Sequence, residues 1–581
     1  MLFFNVIYKR SVRLCLHQIT SFRFKYIAMN EVYFRHIGDS DRFEVTFKIS
    51  HKNVNRQFNF NRLLSESIGD FVARVRTNVE KVLNPKVKKK KIDAEEAAQL
   101  MEVKLIQDGE EIDSTLQCKT VFFDGGKNLL LNIVGDTYKV IVNPPWVGSL
   151  SLPQSLMVGS YCYPSKLEII FGDPKNSIFE WYKCERNSSQ WVEIKKSTKL
   201  LYLSEEYLHC KLKLRCIPSD GKIYGPEVEV STNAVIKEGP NDCPFVARQA
   251  FTKEPLPDGS FRVISYNILA EVYAETVTAK QELFPYCPPF ALNIDYRKQL
   301  YIREILGYNA DIICLQEVDA RIFKNDLCPV LEEIGYQGVL TRKSGTVAEG
   351  IATFFAKRKF RLADVKELSF GDAIDKDPIF ENIWNSIKNN EPVVNNLKER
   401  TTVFHALILE NGDKTFVVGN THLFFFPSAD HIRLLQGGMA SIYLENIVKN
   451  LQSLGKNTCL IFCGDMNSTP DCGLYSLMTK KIAPASLPDW KSDKTEIVEG
   501  FDITQPFEMK SAYGEPKFTN YTVGFSGCLD YIYYQSDKLK LCQTVPLPTE
   551  DEVKAHTALP SPLFPSDHVA LIADFELIQN K

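Results

Sequence analysis

Residues 461–470 read IFCGDMNSTP: an apolar run stops at Gly464 and is followed by an acid, Asp465, and an amide, Asn467, two residues apart. Side chains alternate along a strand, so Asp465 and Asn467 leave the strand end on one face with their oxygens aimed at one point. Such a pair grips a hard cation. Mg²⁺ takes oxygen ligands, keeps several waters, and is bound through one or two carboxylates together with a substrate phosphate. Gly, Asp and Asn also build ordinary turns, so the peptide takes its meaning from the other strand ends of the chain.

Those strand ends begin at Phe261. From there the chain alternates short apolar runs with longer helical patterns, which predicts an α/β domain of roughly 320 residues around a two-sheet core. The strand candidates are RVISYNIL, ADIICLQEV, GIATFFAK, TVFHALILE, TFVVGNTHL, CLIFCGDMN, CLDYIYYQS and VALIADFEL. Between Asp430 and Leu451 the residues Ile432, Leu435, Met439, Ile442 and Ile447 recur near helical spacing and predict an amphipathic helix whose Met is core. A helical insert rich in acids and lysines is expected between Asp372 and Arg400, as a surface excursion.

Several of these strands close on a residue able to do chemistry. SYNILA offers Asn267, LQEVD offers Glu317, GNTHL offers Asn420 and His422, LDYI offers Asp530, and SDHVAL offers Asp567 and His568. Each has a plain explanation taken singly: Asn267 as a strand-end turn, His422 as a satisfied imidazole, Ser566 with Asp567 as a side-chain cap. Six such peptides in one order, each at the end of an apolar strand, define one site. Hydrolysis of a phosphodiester needs an activated water in line with the leaving oxygen and positive charge on the nonbridging oxygens. Glu317, a lone carboxylate at a strand end, is the first choice for the cation, with Asn267 and Asp567 beside it. Asp465 and Asn467 serve a second cation or the attacking water. His568 is the partner for the scissile phosphate, Asp530 the carboxylate that orients its ring, and His422 a contact to the same phosphate from the other side.

The rest of the chain carries no visible chemistry. At 581 residues it is too long for one core, and 44% hydrophobic with 24% charged residues describes a folded globular protein. A formal net charge of −3 gives no general basic field, so a nucleic-acid partner must be held locally. Fifteen cysteines without C-x-x-C spacing fit a reducing compartment. The first 28 residues carry Lys9, Arg10, Arg13, Arg23 and Lys25 and no acid, the pattern of a mitochondrial presequence. Its removal takes five positive charges; a product starting at Met29 would remain cytosolic. No run of about 18 apolar residues predicts a membrane span. Short alternating runs such as FEVTFKIS predict a β-rich domain over 29–145, interrupted by the lysine run Lys86–Lys91, which is read as a solvated loop. A second strand-rich block over 146–240, with Trp181 as a buried anchor and no need of a Cys184–Cys216 bridge, predicts an immunoglobulin-like sandwich. The Pro- and Gly-containing segment 241–258 predicts a linker into the last domain, 259–581.

With SYNILA, LQEVD, GNTHL, GDMNSTP, LDYI and SDHVAL in this order, the C-terminal domain resembles the endonuclease/exonuclease/phosphatase family. That resemblance implies a DNase I-like, four-layer α/β sandwich in which two β-sheets lie between helices. It implies Asp465 as proton donor or acceptor and Mg²⁺ as the cofactor. Similarity to the family's poly(A) deadenylases further implies a 3′-terminal exoribonuclease that releases 5′-AMP from 2′,5′-oligoadenylates and 3′,5′-poly(A) tails. Single-stranded RNA is then the partner, in the mitochondrial matrix, with no membrane and no obligate protein partner. In those deadenylases a Pro and a Phe sandwich the terminal adenine with an Asn nearby, which maps onto Pro427, Phe525 and Asn520. Phe525 has a second explanation as a core aromatic beside a Gly-rich turn. One departure is local: GNTHL is followed by FFFP, where a mixed aromatic and polar pair is the family's pattern. Two other activities stay in view, a phosphatase of small phosphate esters or phosphoinositides on the same fold and an inactive RNA-binding module.

Overall fold

The computed structural model describes residues 30–51, 54–83, 102–125, 127–196 and 198–578. The expected presequence, Met29 and the lysine run Lys86–Lys91 lie outside these residues. The described chain divides into two compact units. One is built from the N-terminal part up to Gly148 with two short later segments, Ile169–Ile178 and Ile217–Glu227; the other holds everything else.

In the first unit, strands β1 (Asn30–Arg35), β2 (Arg42–His51), β3 (Val54–Leu63), β4 (Val103–Gln107), β5 (Glu110–Glu111), β6 (Leu129–Ile133) and β7 (Asp136–Val142) form one sheet in the order β3-β2-β1-β7-β6-β4-β5. Helix α1 (Ile68–Leu83) packs Ile68, Phe71, Val75 and Val79 into the unit's core, at steps of three and four that place them on one stripe. The alternating-strand reading of this region missed that helix, because a single amphipathic stripe lies among stronger period-two runs.

The second unit includes most of the segment expected as an immunoglobulin-like sandwich, Ser149–Glu168, Phe179–Cys216 and the part from Val228 on. The segment holds a four-stranded sheet, β8 (Ile178–Cys184), β9 (Val192–Lys196), β10 (Lys211–Ile217) and β11 (Val228–Ser231), in the order β9-β8-β10-β11. Trp181 is fully buried and donates its indole N–H to the Thr198 carbonyl at 2.9 Å, and Cys184 and Cys216 are free thiols. A separate pair, Tyr161–Cys162 with Leu201–Tyr202, is only two residues long. This segment is tied to the following domain by polar contacts: Gln299 Oε1 accepts from the Met157 N–H and the Ser160 hydroxyl, each at 2.9 Å, and Tyr163 donates to Asp326 at 2.8 Å.

The expected linker 241–258 is not a free tether. Residues Pro244–Arg248 form a helical turn, and the buried Arg248 guanidinium donates to the carbonyls of Ala570 at 2.6 Å and Pro546 at 2.9 Å. A buried cation cannot be left without acceptors, and here the last domain supplies them.

That domain contains two six-stranded sheets. Strands β12 (Ser260–Asn267), β13 (Ile312–Asp319), β14 (Tyr336–Arg342), β15 (Glu349–Ala356), β22 (Leu539–Thr544) and β23 (Leu571–Leu577) pair in the order β14-β15-β13-β12-β23-β22. Strands β16 (Arg361–Ser369), β17 (Val403–Asn411), β18 (Lys414–His422), β19 (Asn457–Asp465), β20 (Met509–Ser511) and β21 (Asp530–Gln535) pair in the order β16-β17-β18-β19-β21-β20. Each sheet is antiparallel except for one parallel pair at its centre, β12 with β13 and β18 with β19. Alternate residues of these strands, such as Val263, Cys314, Val418 and Ile461, fill one core between the sheets. The other parity packs outward. Tyr266 and Leu315 meet the core that includes α2 (Ile294–Gly307), and Phe462 meets the core that includes α5 (Asp430–Ser453). The layers therefore run helix, sheet, sheet, helix, as the resemblance implied. The insert forms α3 (Glu381–Ile387) and α4 (Glu391–Glu399), with Ile383, Val393 and Leu397 buried in the same outer core as α5. Helix α5 is less amphipathic than its sequence suggests, since its first turns, including Arg433, Gln436, Gly437 and Gly438, are buried all round. A Cβ on Gly437 would stand 2.2 Å from the end of the Leu474 side chain, which would have to move to admit it.

Candidate active site

The four central parallel strands carry the chemistry at their C-terminal ends. On β19, Ile461 and Cys463 face the inter-sheet core, so period two sends Asp465 to the same face. The same parity holds for Val418 with Asn420 and His422 on β18, and for Val263 with Asn267 on β12. Gly464 permits the approach of β18, since a Cβ there would lie 2.4 Å from the Thr421 carbonyl oxygen. Glu317 breaks the parity. Ile313 and Leu315 face the outer core, and strict alternation would send Glu317 with them. The backbone instead enters the left-handed region at Glu317, with φ +56, and the pairing with β15 shifts register between Leu315 and Val318. Such a bulge re-aims one side chain, here to the inter-sheet end of the strand.

The focal atom is Asp465 Oδ2. Asn267 donates to it at 3.0 Å, His568 Nε2 stands 3.5 Å away and His422 Nε2 3.6 Å away. Asn267 donates its other amide hydrogen to Glu317 Oε1 at 3.0 Å, and its oxygen accepts from the Leu269 N–H. It thus joins two carboxylates across the sheets, whereas the sequence reading had placed it among the cation ligands. Glu317 Oε2 accepts the Ala270 N–H at 2.9 Å. Asp465 Oδ1 accepts the Asn467 N–H at 3.0 Å, and Asn467, at φ +48, donates its amide to the Leu423 carbonyl. The turn geometry that GDMN suggests is therefore real, and it fixes the acid.

Asp530, paired with Asp465 across β19 and β21, meets His568 Nδ1 at 2.7 Å and also accepts from the Thr519 hydroxyl at 2.6 Å. Asp465, Asp530 and His568 offer oxygen and nitrogen atoms that all lie within 4.8 Å of one another. Asn520 donates to Asp567 at 3.2 Å and pairs with His568 through its backbone, so it holds that loop instead of facing open space. Asn420, one of the strand-end candidates, is fully buried; it donates to the Leu315 and Ala352 carbonyls and accepts from Gln316 at 2.9 Å. Every polar group of a buried amide must be paired, and this one is paired between the sheets. Pro427 is exposed, and Phe525 sits 43% exposed in the loop between the short strands Asn520–Tyr521 and Ser526–Gly527, which excludes the core-aromatic explanation.

Electrostatics separate the two histidines. Burial alone would lower the basicity of His568, but Asp530, Asp465 and Asp567 override it and hold its pKa well above the usual histidine value. Burial, with Lys343 and His568 nearby, holds His422 well below that value, and its Nδ1 is buried without a partner among the described residues. One imidazolium and one neutral imidazole thus flank the same carboxylate. Burial, and then the neighbouring carboxylates of Asp567 and Glu349, push Glu317 up to about 7. Burial also raises Asp465, with Asp530 adding to it. Among the described residues, Asp465, Asp530 and His568 form a group close enough to hold a cation, and Asn267 links its Asp465 to the Glu317 carboxylate.

Several contributors escaped the sequence reading. Glu349 opens β15 fully buried, accepts from the Tyr273 hydroxyl at 2.9 Å and pairs with Lys343. Asp530 and Glu349 each open their strands, and a search confined to strand ends that close on a polar residue passes over an acid in Glu349's position. Thr519 carries no such signal, and Ser566, read only as a side-chain cap, gave no sign of its contact with Asn267. Ser566 donates to the Asn267 carbonyl at 2.7 Å and accepts from the His568 N–H at 3.1 Å. Two buried arginines from the flanking helices clamp the site loops. Arg297 of α2 donates to the carbonyls of Leu269 at 2.8 Å and Pro565 at 3.2 Å, and Arg433 of α5 to those of Phe424 at 3.1 Å and Pro427 at 3.0 Å.

Residues 264–568 match the endonuclease/exonuclease/phosphatase family, and residues 144–237 match the 2′,5′-phosphodiesterase 12-like N-terminal domain. The chain belongs to the endonuclease/exonuclease/phosphatase family and is a hydrolytic phosphodiesterase or nuclease of it. Among its relatives, it is 35% identical over 590 positions to 2′,5′-phosphodiesterase 12 of Rattus norvegicus, covering 94% of each chain. It is 32% identical over 354 positions to the CCR4-Not complex 3′-5′-exoribonuclease subunit Ccr4 of Candida albicans, covering 57% of this chain and 43% of that protein. A crystal structure of ANGEL2, a 2′,3′-cyclic phosphatase, in complex with adenosine-2′,3′-vanadate matches 56% of this chain and 97% of its own with a TM-score of 0.46 and 25% identity.

Proposed function

We propose that the protein is a Mg²⁺-dependent 3′-terminal exoribonuclease that releases 5′-AMP from 2′,5′-oligoadenylates and from 3′,5′-poly(A) tails of mitochondrial RNA. The observation that carries this is the convergence of Asn267, His422 and His568 on Asp465 Oδ2, beside the Glu317–Asp567 carboxylates. Relatives named as a 2′,5′-phosphodiesterase and as a 3′-5′-exoribonuclease support both linkages. Mg²⁺ held by Glu317 and Asp567 supplies Lewis-acid charge for the nonbridging oxygens. The chain's own groups divide the remaining work. Asp465, raised toward neutrality by burial, takes the proton of the attacking water. His568, kept charged and fixed by Asp530, donates Nε2–H to a phosphate oxygen, and neutral His422 contacts the same phosphate. Asn267 and Asn467 hold Asp465 in place through both its oxygens.

Purified protein incubated with Mg²⁺ and either 2′,5′- or 3′,5′-linked oligoadenylate should release 5′-AMP. Inorganic phosphate as the only product would overturn this in favour of a phosphatase. The address is tested separately. Residues 1–35 fused to a fluorescent reporter should carry it into mitochondria, and a translation product from Met29 should stay cytosolic. A diffuse signal from the fusion argues against the matrix.

A further inference from the structure

The loop that leaves His422 reads Leu423-Phe424-Phe425-Phe426-Pro427 and shows two large aromatic rings to solvent: Phe425 is 71% exposed and Phe426 51%. Nothing in the fold requires this. An exposed phenyl gains nothing from burial, yet the loop is tied down on both sides of Phe425. At its start, the Leu423 N–H donates to the Asp465 carbonyl and the Leu423 carbonyl accepts from Asn467, so it is anchored on the site itself. Buried Arg433 then binds the carbonyls of Phe424, Phe426 and Pro427. Phe424 lies beneath, its ring near parallel to Phe426 at 17° and edge-on to Phe425, with the Arg400 guanidinium 4.5 Å from its centroid. Three residues span at most about 11 Å, so Phe425 cannot stand far from His422 along the chain.

We infer that Phe425 and Phe426 form a preformed stacking platform for the base of the penultimate nucleotide, the one whose 2′- or 3′-oxygen leaves. This rests on the exoribonuclease reading above and adds to it a subsite for the leaving nucleoside. The occupant follows from continuity: a platform rooted on Asp465 and Asn467 meets whatever is covalently joined to the scissile phosphate, and a nucleobase is the π-faced group attached there. Phenyl rings offer no edge contacts, so this subsite accepts any base and adds rate without adenine selectivity. A rigid loop also avoids ordering losses when the base arrives.

The test uses the 2′,5′-linked adenosine trimer and the same trimer with an abasic ribose in the middle position, compared by kcat/KM on the full chain. The wild-type protein should be slower on the abasic trimer by roughly 10-fold. The F425A/F426A protein should be slower by about as much on the intact trimer and show little further loss on the abasic one. A F425L/F426L protein, which keeps apolar bulk without a stacking face, should follow the alanine pair and guards against loop collapse. Equal losses on the two trimers, or no loss with either pair, overturn the platform. Wild-type cleavage of both trimers at one rate overturns it while the exoribonuclease reading stands. No cleavage of either trimer overturns that reading and the platform together.

Discussion

Asp530 and His568 are joined by a 2.7 Å hydrogen bond at Nδ1, and the same carboxylate oxygen takes the Thr519 hydroxyl. The pair fixes the ring so that Nε2 points to Asp465 Oδ2 and also keeps it charged. Asp530→Asn preserves the shape but removes the charge, and the imidazole is then free to lose its proton. A kcat loss of roughly 10²- to 10⁴-fold with little change in KM is expected on oligoadenylate. A near-normal kcat would leave Asp530 a structural residue only.

Glu317 should be required for cation binding. Glu317→Ala is expected to abolish turnover while the fold persists, because the residue lies at a bulge with its neighbours Asp567 and Glu349 already crowding it. Thermal unfolding separates binding from chemistry: wild-type protein should gain stability in Mg²⁺, by about 2.7 kcal/mol at a hundredfold excess over Kd, and the variant should not. An unchanged Mg²⁺ response in the variant moves the cation elsewhere.

How far the sequence disclosed this fold depends on position in the sheets. The eight strand candidates from Phe261 onward correspond to β12, β13, β15, β17, β18, β19, β21 and β23, the four inner strands of each sheet. The four that were missed, β14, β16, β20 and β22, are the four edges. Inner strands are covered on both faces and read as continuous apolar runs, whereas β16, RLADVKELS, keeps only Leu368 buried and carries charges throughout, as an edge must to avoid pairing with another chain. The site divides in the same way. Residues at strand ends were legible from alternation, but the turn of Glu317 by a bulge was not, nor were the contacts of Thr519 with Asp530 and of Ser566 with Asn267. Their importance comes only from which distant loop they meet.

Phe525 tests the adenine sandwich. At 43% exposure on a hairpin tip it adds little to stability, so Phe525→Ala should leave the unfolding free energy within about 0.5 kcal/mol. Cleavage of both linkages should slow about equally, by roughly 10- to 100-fold, if ~1.4 to 2.8 kcal/mol of transition-state stabilisation is lost. Cleavage at the normal rate places adenine elsewhere.

His405 pins the two sheets together beneath the site, and its protonation should set a limit on acid stability. Thr341 donates its hydroxyl to Glu367 at 2.6 Å, which leaves it to accept from His405 Nδ1 at 2.9 Å. His405 Nε2 must then be bare, and it accepts from Thr353 at 2.7 Å, whose oxygen in turn accepts from Asn420. The ring is fully buried, and burial lowers its pKa to about 3. An unfolded chain takes up this proton near pH ~6.5 and the native one does not, so stability is fully present above ~6.5 and declines as pH falls toward about 3. At pH ~5 the loss is about 2 kcal/mol for this group. His405→Gln keeps a donor and an acceptor but cannot titrate. Urea unfolding from pH ~7.5 to ~5 should therefore cost the wild-type protein about 2 kcal/mol more than the variant, all other groups being common to both. Parallel pH profiles for the two proteins would mean that native His405 takes up its proton as readily as the unfolded chain does, and the Thr353 bond would then run from Nε2–H to the hydroxyl oxygen.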